Sequence, residues 1–256
     1  MAPTLILIRH AEALHNLTSK TEDYHIHDPE LTETGHTQVQ ELRANLINHP
    51  VAQNAGLIVT SPMIRTMQTA MGSLDWLIEK GIKIEADAGW QVRGVEERTP
   101  QSPATPACPA PPSCSPPKFP AVDFSTLDPV YPDKLTPAGA HYFAARGAIL
   151  NRGQASLRRL RDRPEKVIVV VSHSGFLRLG VTGCYYMNAD YRIFDFEEEE
   201  QPGGVDGKTP QIRLREWDET KEKGGGMSKS WTEMVELGSG LPEEIVASSA
   251  PKIEKN

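Results

Sequence analysis

Cysteine is scarce, and the three present, Cys108, Cys114 and Cys184, neither build a disulfide framework nor match the paired spacing of a zinc site. They read as free thiols, so the expected compartment is a reducing one, the cytoplasm by default. No apolar run approaches the ~20 residues needed to cross a bilayer. The short run Leu5 to Ile8 ends at Arg9-His10 and lacks the basic flank and cleavage site of a secretory leader. Excess positive charge is absent too. Against 34 acidic residues stand 27 basic ones, a net charge of -7, which opposes non-specific attraction to nucleic acid or anionic membranes. There is no Walker loop, no G-x-G-x-x-G after the first strand and no G-x-S-x-G elbow, so three common α/β chemistries have no support.

What is present alternates between strands and helices. Thr4 to Ile8 is a short β-branched run suited to a buried parallel strand. Residues 31–48 carry Val39, Leu42, Leu46 and Ile47 at helical spacing, with Thr32 or Thr34 as N-cap and Pro50 beyond the end. Gly56 to Thr60 reads as a second strand, broken by Ser61-Pro62, and Met63, Met67, Ala70, Met71, Leu74 and Leu77 form a helical stripe. Ile82 to Ala86 reads as a third strand. Residues 100–120 then hold nine of the 21 prolines, and proline withholds backbone donors from helix and sheet alike. This is an extended surface insertion at about 99–120, without the basic anchors of an SH3-type ligand. Helix is expected over 137–162, a strand over Val167 to Val171, a helix from Phe176, and a last strand-like piece from Gln211 to Trp217. The glutamate run 197–200 reads as solvated charge, and Gly224-Gly225-Gly226 as flexible. The pattern predicts an α/β fold, a doubly wound and mainly parallel sheet flanked by helices. We read one domain over 1–220 and a partly flexible extension over 221–256.

Ligands of such sheets bind beyond the carboxyl ends of the strands. Arg9 and His10 follow the first strand there, Arg65 stands in the first turn of the helix after the second, and His173 follows the strand ending at Ser172. Arginines and imidazoles falling repeatedly at strand ends are the first functional clue, and forked arginines there could bind a small anion. His10 with His15, or His25 with His27, lack the carboxylate or cysteine partners of a metal site, so no metal is expected.

Together Leu7 to Asn16, Thr60 to Ala70 and Val170 to Leu177 resemble the histidine phosphatase (phosphoglycerate mutase-like) superfamily, nearest its small fungal members, which carry Arg-His-Ala and His-Asn. Asp28-Pro29-Glu30-Leu31-Thr32 with Gly35 and Gln38, Asp123-Phe124-Ser125 with Leu127, and Asn188 to Arg192 with Phe194 and Phe196 extend the likeness from about residue 4 to about 220. It implies that His10 attacks phosphorus and becomes phosphohistidine. Arg9, Arg65, His173 and Asn16 would hold the phosphoryl oxygens, with no cofactor required. Ala11 and Ser174 replace glycines of the family pattern, and Ser174 would add a hydroxyl beside the pocket.

The family's general acid, a glutamate in a Leu-x-Glu context after the third strand, falls in register on Val92. Val95-Glu96-Glu97 offers the substitute, so Glu97 or Glu96 is the acid, or the acid is gone. The resemblance thus implies a phosphatase for a small phosphorylated or pyrophosphorylated metabolite. The alternatives are an isomerase, lyase or cyclase reusing the cationic pocket for an anionic natural product, and an inactive phosphate-binding protein. Because the proline tract offers almost nothing to bury, replacing Pro100 to Pro120 by a flexible linker should change unfolding stability by less than about 1 kcal/mol in a denaturant titration.

Overall fold

The computed structural model describes residues 1–17, 28–91, 118–133, 136–198, 201–202 and 210–243. In chain order these form β1 (Thr4–Arg9), α1 (Glu33–Leu46), β2 (Ala55–Thr60), α2 (Ile64–Ser73), α3 (Asp75–Glu79), β3 (Lys83–Ala86) and β4 (Val122–Asp123). There follow α4 (Arg146–Arg161), β5 (Val167–Ser172), α5 (Ser174–Phe176, continuing as π-helical turns over Leu177–Thr182), β6 (Tyr191–Phe196), β7 (Gln201–Pro202), β8 (Pro210–Gln211), β9 (Leu214–Glu216) and α6 (Asp218–Lys221).

Seven strands make one sheet in the order β4-β3-β2-β5-β1-β6-β9. β1 to β5 are mutually parallel, and β6 closes antiparallel on β1. The strands read as continuous apolar runs because both faces are covered. Ile6, Ile8, Ile58, Ile84, Val169 and Val171 belong to the core that includes Val39 and Leu42 of α1 and Met67 and Ala70 of α2. Leu5, Leu7, Leu57, Val59, Ile168 and Val170 alternate with them and join Ile149 and Leu157 of α4 and Phe176 and Leu177 on the other face. The predicted single-domain, mainly parallel architecture is therefore present. Among the described residues no helix is long and apolar enough to cross a membrane.

Three local expectations are corrected. The helix expected over 137–162 is two pieces, a 3-10 stretch Pro137–Tyr142 and α4, with Phe143 and Ala145 extended between them. His141 and Tyr142 are both tied to the Asp128 carboxylate, at 3.0 and 2.7 Å, which fixes the first piece apart from the second. The strand expected over 211–217 is interrupted at Ile212, whose backbone N–H and carbonyl are taken by the Gln154 side chain at 2.9 and 3.0 Å instead of by a neighbouring strand.

The third correction concerns the glycine run, which is packed. Gly225 N–H donates to the Thr220 carbonyl at 2.7 Å, and Gly226 N–H donates to that of Tyr191 at 2.8 Å. Both oxygens of the Asp190 carboxylate gather this segment, accepting from Met227 N–H, Lys229 N–H and the Ser230 hydroxyl. Glycine is needed at 225 because φ is +94° there and a Cβ would lie 2.3 Å from that carboxylate. The proline-rich tract lies outside the described residues up to 117, but Phe119 near its end is buried in the core, so the segment expected to bury nothing contributes one core side chain and the neutral linker replacement is expected only for the part before Lys118. Gly225→Ala should lower unfolding stability by about 1–3 kcal/mol, the range for forced overpacking, measured by urea titration; a flexible run would leave the midpoint unchanged.

Candidate active site

The site begins as the continuation of three parallel strands. Arg9 pairs in register with Ser172, and Thr60 with Val171. One residue further, His10 N–H donates to the Ser172 carbonyl and Ser61 N–H to the Val171 carbonyl, both at 3.0 Å. His10, Ser61 and His173 thus leave adjacent strands at one sheet end. All three are buried, His10 at 3% exposure and His173 at 2%, with the two imidazole centroids 5.1 Å apart.

A second group of contacts fixes the backbone after His10. Ala11 N–H donates to Thr69 Oγ1 of α2 at 3.0 Å, and Glu12 N–H to Gln38 Oε1 of α1 at 2.8 Å. Thr32 is the N-cap of α1, accepting from Gly35 N–H at 2.9 Å, while its hydroxyl donates to the Glu12 carboxylate at 2.7 Å. A Cβ on Gly35 would sit 2.0 Å from the Glu12 carbonyl oxygen, so the helix start and the strand end meet in a space that only glycine leaves open. The motif Leu31-Thr32, Gly35 and Gln38 is in this way the clamp on the chain that follows His10.

The His10 ring is oriented by its own neighbour. Nδ1 lies 2.7 Å from the Ala11 carbonyl oxygen. A carbonyl only accepts, so Nδ1 carries the proton and Nε2 carries the lone pair in the neutral ring. Burial first, then the charges of Arg65, Arg9 and His15, hold the His10 pKa well below its ordinary 6.5, against the opposing pull of the Ala11 bond. The neutral, nucleophilic form is the one present at neutral pH. Arg65 Nη2 approaches Nδ1 of His173 at 3.4 Å; because a guanidinium only donates, His173 presents Nε2–H to Ser61 Oγ at 2.9 Å. Asp28 accepts from Ile64 N–H at the start of α2 at 3.0 Å and stands 3.8 Å from Nη1 of Arg65, both side chains being buried. Arg9 reaches from β1 to the Tyr186 carbonyl at 2.9 Å.

The fold therefore brings Arg9, His10, Arg65 and His173 to one sheet end. Asn16 is beside them, with its Oδ1 engaged by Ala13 N–H at 3.1 Å and by Asn188 Nδ2 at 3.3 Å, which leaves its own amide hydrogens for any donor role. Ser174 is the half-buried first residue of α5. Glu96, Glu97 and Val92 lie outside the described residues, as do His25 and His27. Sequence reasoning gave no role to Ser61, although it follows β2 as His10 follows β1. Nor did it assign one to Asp28 and Asn188, which it met only as motif members. Gln91 was passed over as well: its side chain is fully buried, and neither amide atom has a hydrogen-bond partner among the described residues. Among the described residues no group of three or more histidine, cysteine or carboxylate side chains is arranged to hold a metal ion.

The chain is similar to several known proteins. The model of the histidine phosphatase superfamily (branch 1) matches residues 5–95. Phosphoglycerate mutase-like protein 1 of Arabidopsis thaliana is 32% identical over 199 residues, 68% of this chain and 69% of that protein. A phosphoglycerate mutase-like protein of the same plant is 28% identical over 199 residues, 68% of this chain and 72% of its own length. Among solved structures, a mycobacterial glucosyl-3-phosphoglycerate phosphatase complexed with VO3 aligns at 17% identity and a TM-score of 0.45, over 84% of this chain and 99% of that one.

The low pKa of His10 has a consequence for stability. The unfolded chain takes up a proton near pH 6.5 while folded His10 resists it, so this contribution is complete above about pH 6.5 and is lost as the pH falls below it. Urea midpoints between about pH 7.5 and pH 5 should therefore decline less steeply for His10→Asn than for the wild type; equal slopes would show that His10 titrates normally.

Proposed function

The chain belongs to the histidine phosphatase superfamily, and from that premise we propose that it hydrolyses the phosphoric ester or pyrophosphate of a small metabolite through a phosphohistidine on His10. The observation that carries this reading is the bond between His10 Nδ1 and the Ala11 carbonyl, which leaves Nε2 unprotonated amid Arg9, Arg65 and His173. In the first step the Nε2 lone pair forms the N–P bond, and the P–O bond to the leaving group breaks with its electron pair on oxygen, which takes up a proton. In the second, water attacks phosphorus, surrenders a proton, and the N–P bond returns its electrons to Nε2. Arg9 and Arg65 supply fixed positive charge to the non-bridging oxygens, His173 turns its Nε2–H from Ser61 Oγ to an oxygen of the bound phosphoryl group, and Asn16 and the Ser174 hydroxyl complete the set.

The proton for the leaving oxygen comes, in this proposal, from Glu97, with Glu96 as the neighbouring choice. Three described carboxylates close to the histidines are already committed elsewhere. Asp28 caps α2 and faces Arg65, Glu12 accepts from Thr32, and Asp190 is surrounded by Tyr191, Met227, Lys229 and Ser230. Each already has its carboxylate oxygens engaged by groups of the fold and not turned to a leaving group. Cytoplasmic action belongs to the same reading, supported by the unpaired buried thiol of Cys184. The Arg-His-Ala and His-Asn spellings support placement beside the small fungal members.

An alkyl phosphate leaves as a basic alkoxide and needs that proton, whereas an activated aryl phosphate does not. His10→Ala should lower phosphate release from both substrates by at least about 10²-fold. Glu97→Gln, or Glu96→Gln, should lower it by about 10²-fold for the alkyl ester alone. Full activity in His10→Ala would overturn the nucleophile. Failure of the wild type on every phosphate ester, with turnover of another anionic substrate, would favour the repurposed pocket instead.

A further inference from the structure

Apart from Met1, the exposed large hydrophobic side chains among the described residues are Leu14, Leu17, Met187, Trp231 and Met234. Single exposed apolar residues are ordinary, whereas a cluster of them signals a binding surface. These five belong to three short segments, and hydrogen bonds tie all three together at the histidine end of the sheet. Asn188 Nδ2 donates to both the His10 carbonyl, at 3.1 Å, and Asn16 Oδ1, at 3.3 Å, which joins the Met187 segment to the Leu14–Leu17 segment. Met187 N–H donates to Ser230 Oγ at 2.8 Å, which joins it to the segment of Trp231, and Met234 bridges to Cys184. The residue before Met187 is Tyr186, whose carbonyl holds Arg9.

The exposed indole is held in place. Its backbone carbonyl accepts from buried Arg192 at 2.7 Å, its ring lies 5.0 Å from that of Tyr185, and Arg178 covers Tyr185 at 4.6 Å. Trp231, 60% exposed, is thus an ordered apolar surface packed against Tyr185, next in the chain to the Tyr186 whose carbonyl holds Arg9. Charge suited to a second anionic group is scarce on these stretches. Residues 11–17, 183–190 and 225–235 contain one lysine and no arginine, and that lysine, Lys229, is paired with Glu41 at 2.7 Å.

We infer that this surface receives the apolar part of the substrate, and that the ester hydrolysed is the phosphomonoester of a hydrophobic alcohol or phenol. The inference rests on the phosphatase reading above and narrows its substrate class. Its occupant is set by connection: Met187 stands between Tyr186, whose carbonyl holds Arg9, and Asn188, which holds the His10 carbonyl and Asn16, so the apolar segments of Leu14, Leu17, Met187 and Trp231 are joined to the residues that would seat the phosphoryl group.

The test is a series of n-alkylphosphonates from ethyl to octyl, titrated calorimetrically against the wild type, alongside phosphate release from the matching n-alkyl phosphates. Leaving-group basicity is nearly constant along the series, so a trend reports apolar contact. Affinity and kcat/KM should each rise about two- to fourfold per added methylene, the upper figure being full burial of a CH2, and Met187→Ser and Trp231→Ser should flatten both slopes. Short and long esters hydrolysed alike, with phosphonate affinity independent of length, would overturn the inference and leave the phosphatase reading standing. Length-dependent phosphonate binding without phosphate release from any ester would uphold the apolar site and overturn the phosphatase reading. A flat series in which Trp231→Ser instead converts a dimer to a monomer in sedimentation would assign the patch to a second copy of the chain, again overturning it.

Discussion

The bond from His10 Nδ1 to the Ala11 carbonyl is the interaction on which the rest of the site depends. It is made within two adjacent residues, so its geometry is set by the backbone, and that backbone is held from every side. Thr69 takes the N–H of Ala11, Gln38 that of Glu12, and Asn188 and Ala189 N–H both donate to the carbonyl of His10. Three elements distant in sequence, α1, α2 and the turn before β6, converge to keep one carbonyl pointing at one ring nitrogen. Such supporting contacts are what hold a reactive group in a productive geometry.

Concentrating Arg9, Arg65 and two imidazoles in a buried space has an electrostatic cost, and the arrangement shows how it is limited. His10 remains neutral because burial and the neighbouring guanidinium groups depress its pKa. Asp28 offsets part of the charge of Arg65 while capping the helix that carries it. Away from the site, Arg192 and Glu216 form a buried pair at 2.7 Å, with Arg192 also donating to the carbonyls of Tyr185 and Trp231. This ties the turn before β6 and the 225–235 segment to β9. In the proposed reaction the same charges of Arg9 and Arg65 that keep His10 neutral would draw an anion towards its Nε2 lone pair.

The architecture was legible because its signals are local. Buried parallel strands appear as β-branched runs, and a charged residue directly after such a run stands at a sheet end, which located Arg9, His10 and His173. Other features depend on partners remote in the chain. Nothing in Gln211 to Trp217 reveals that Gln154 will take the backbone of Ile212. A run of three glycines carries no sign of whether its freedom is used for mobility or, as at Gly225, for a close approach to Asp190. Ser61 was hidden by its neighbour, since Ser61-Pro62 reads first as a strand breaker. The stretch after β3 was ambiguous at the level of register, because the expected position falls on Val92 and only a shift of four or five residues brings in Glu96 or Glu97.

If the Ala11 carbonyl fixes the ring, phosphate must be transferred to Nε2 and to no other position. Phosphorus NMR of enzyme denatured in alkali during turnover, compared with the two authentic phosphohistidine isomers, tests this directly. The account predicts the Nε2 isomer alone, lost in His10→Ala; phosphate on Nδ1, or an isomer signal that persists in that variant, would contradict it.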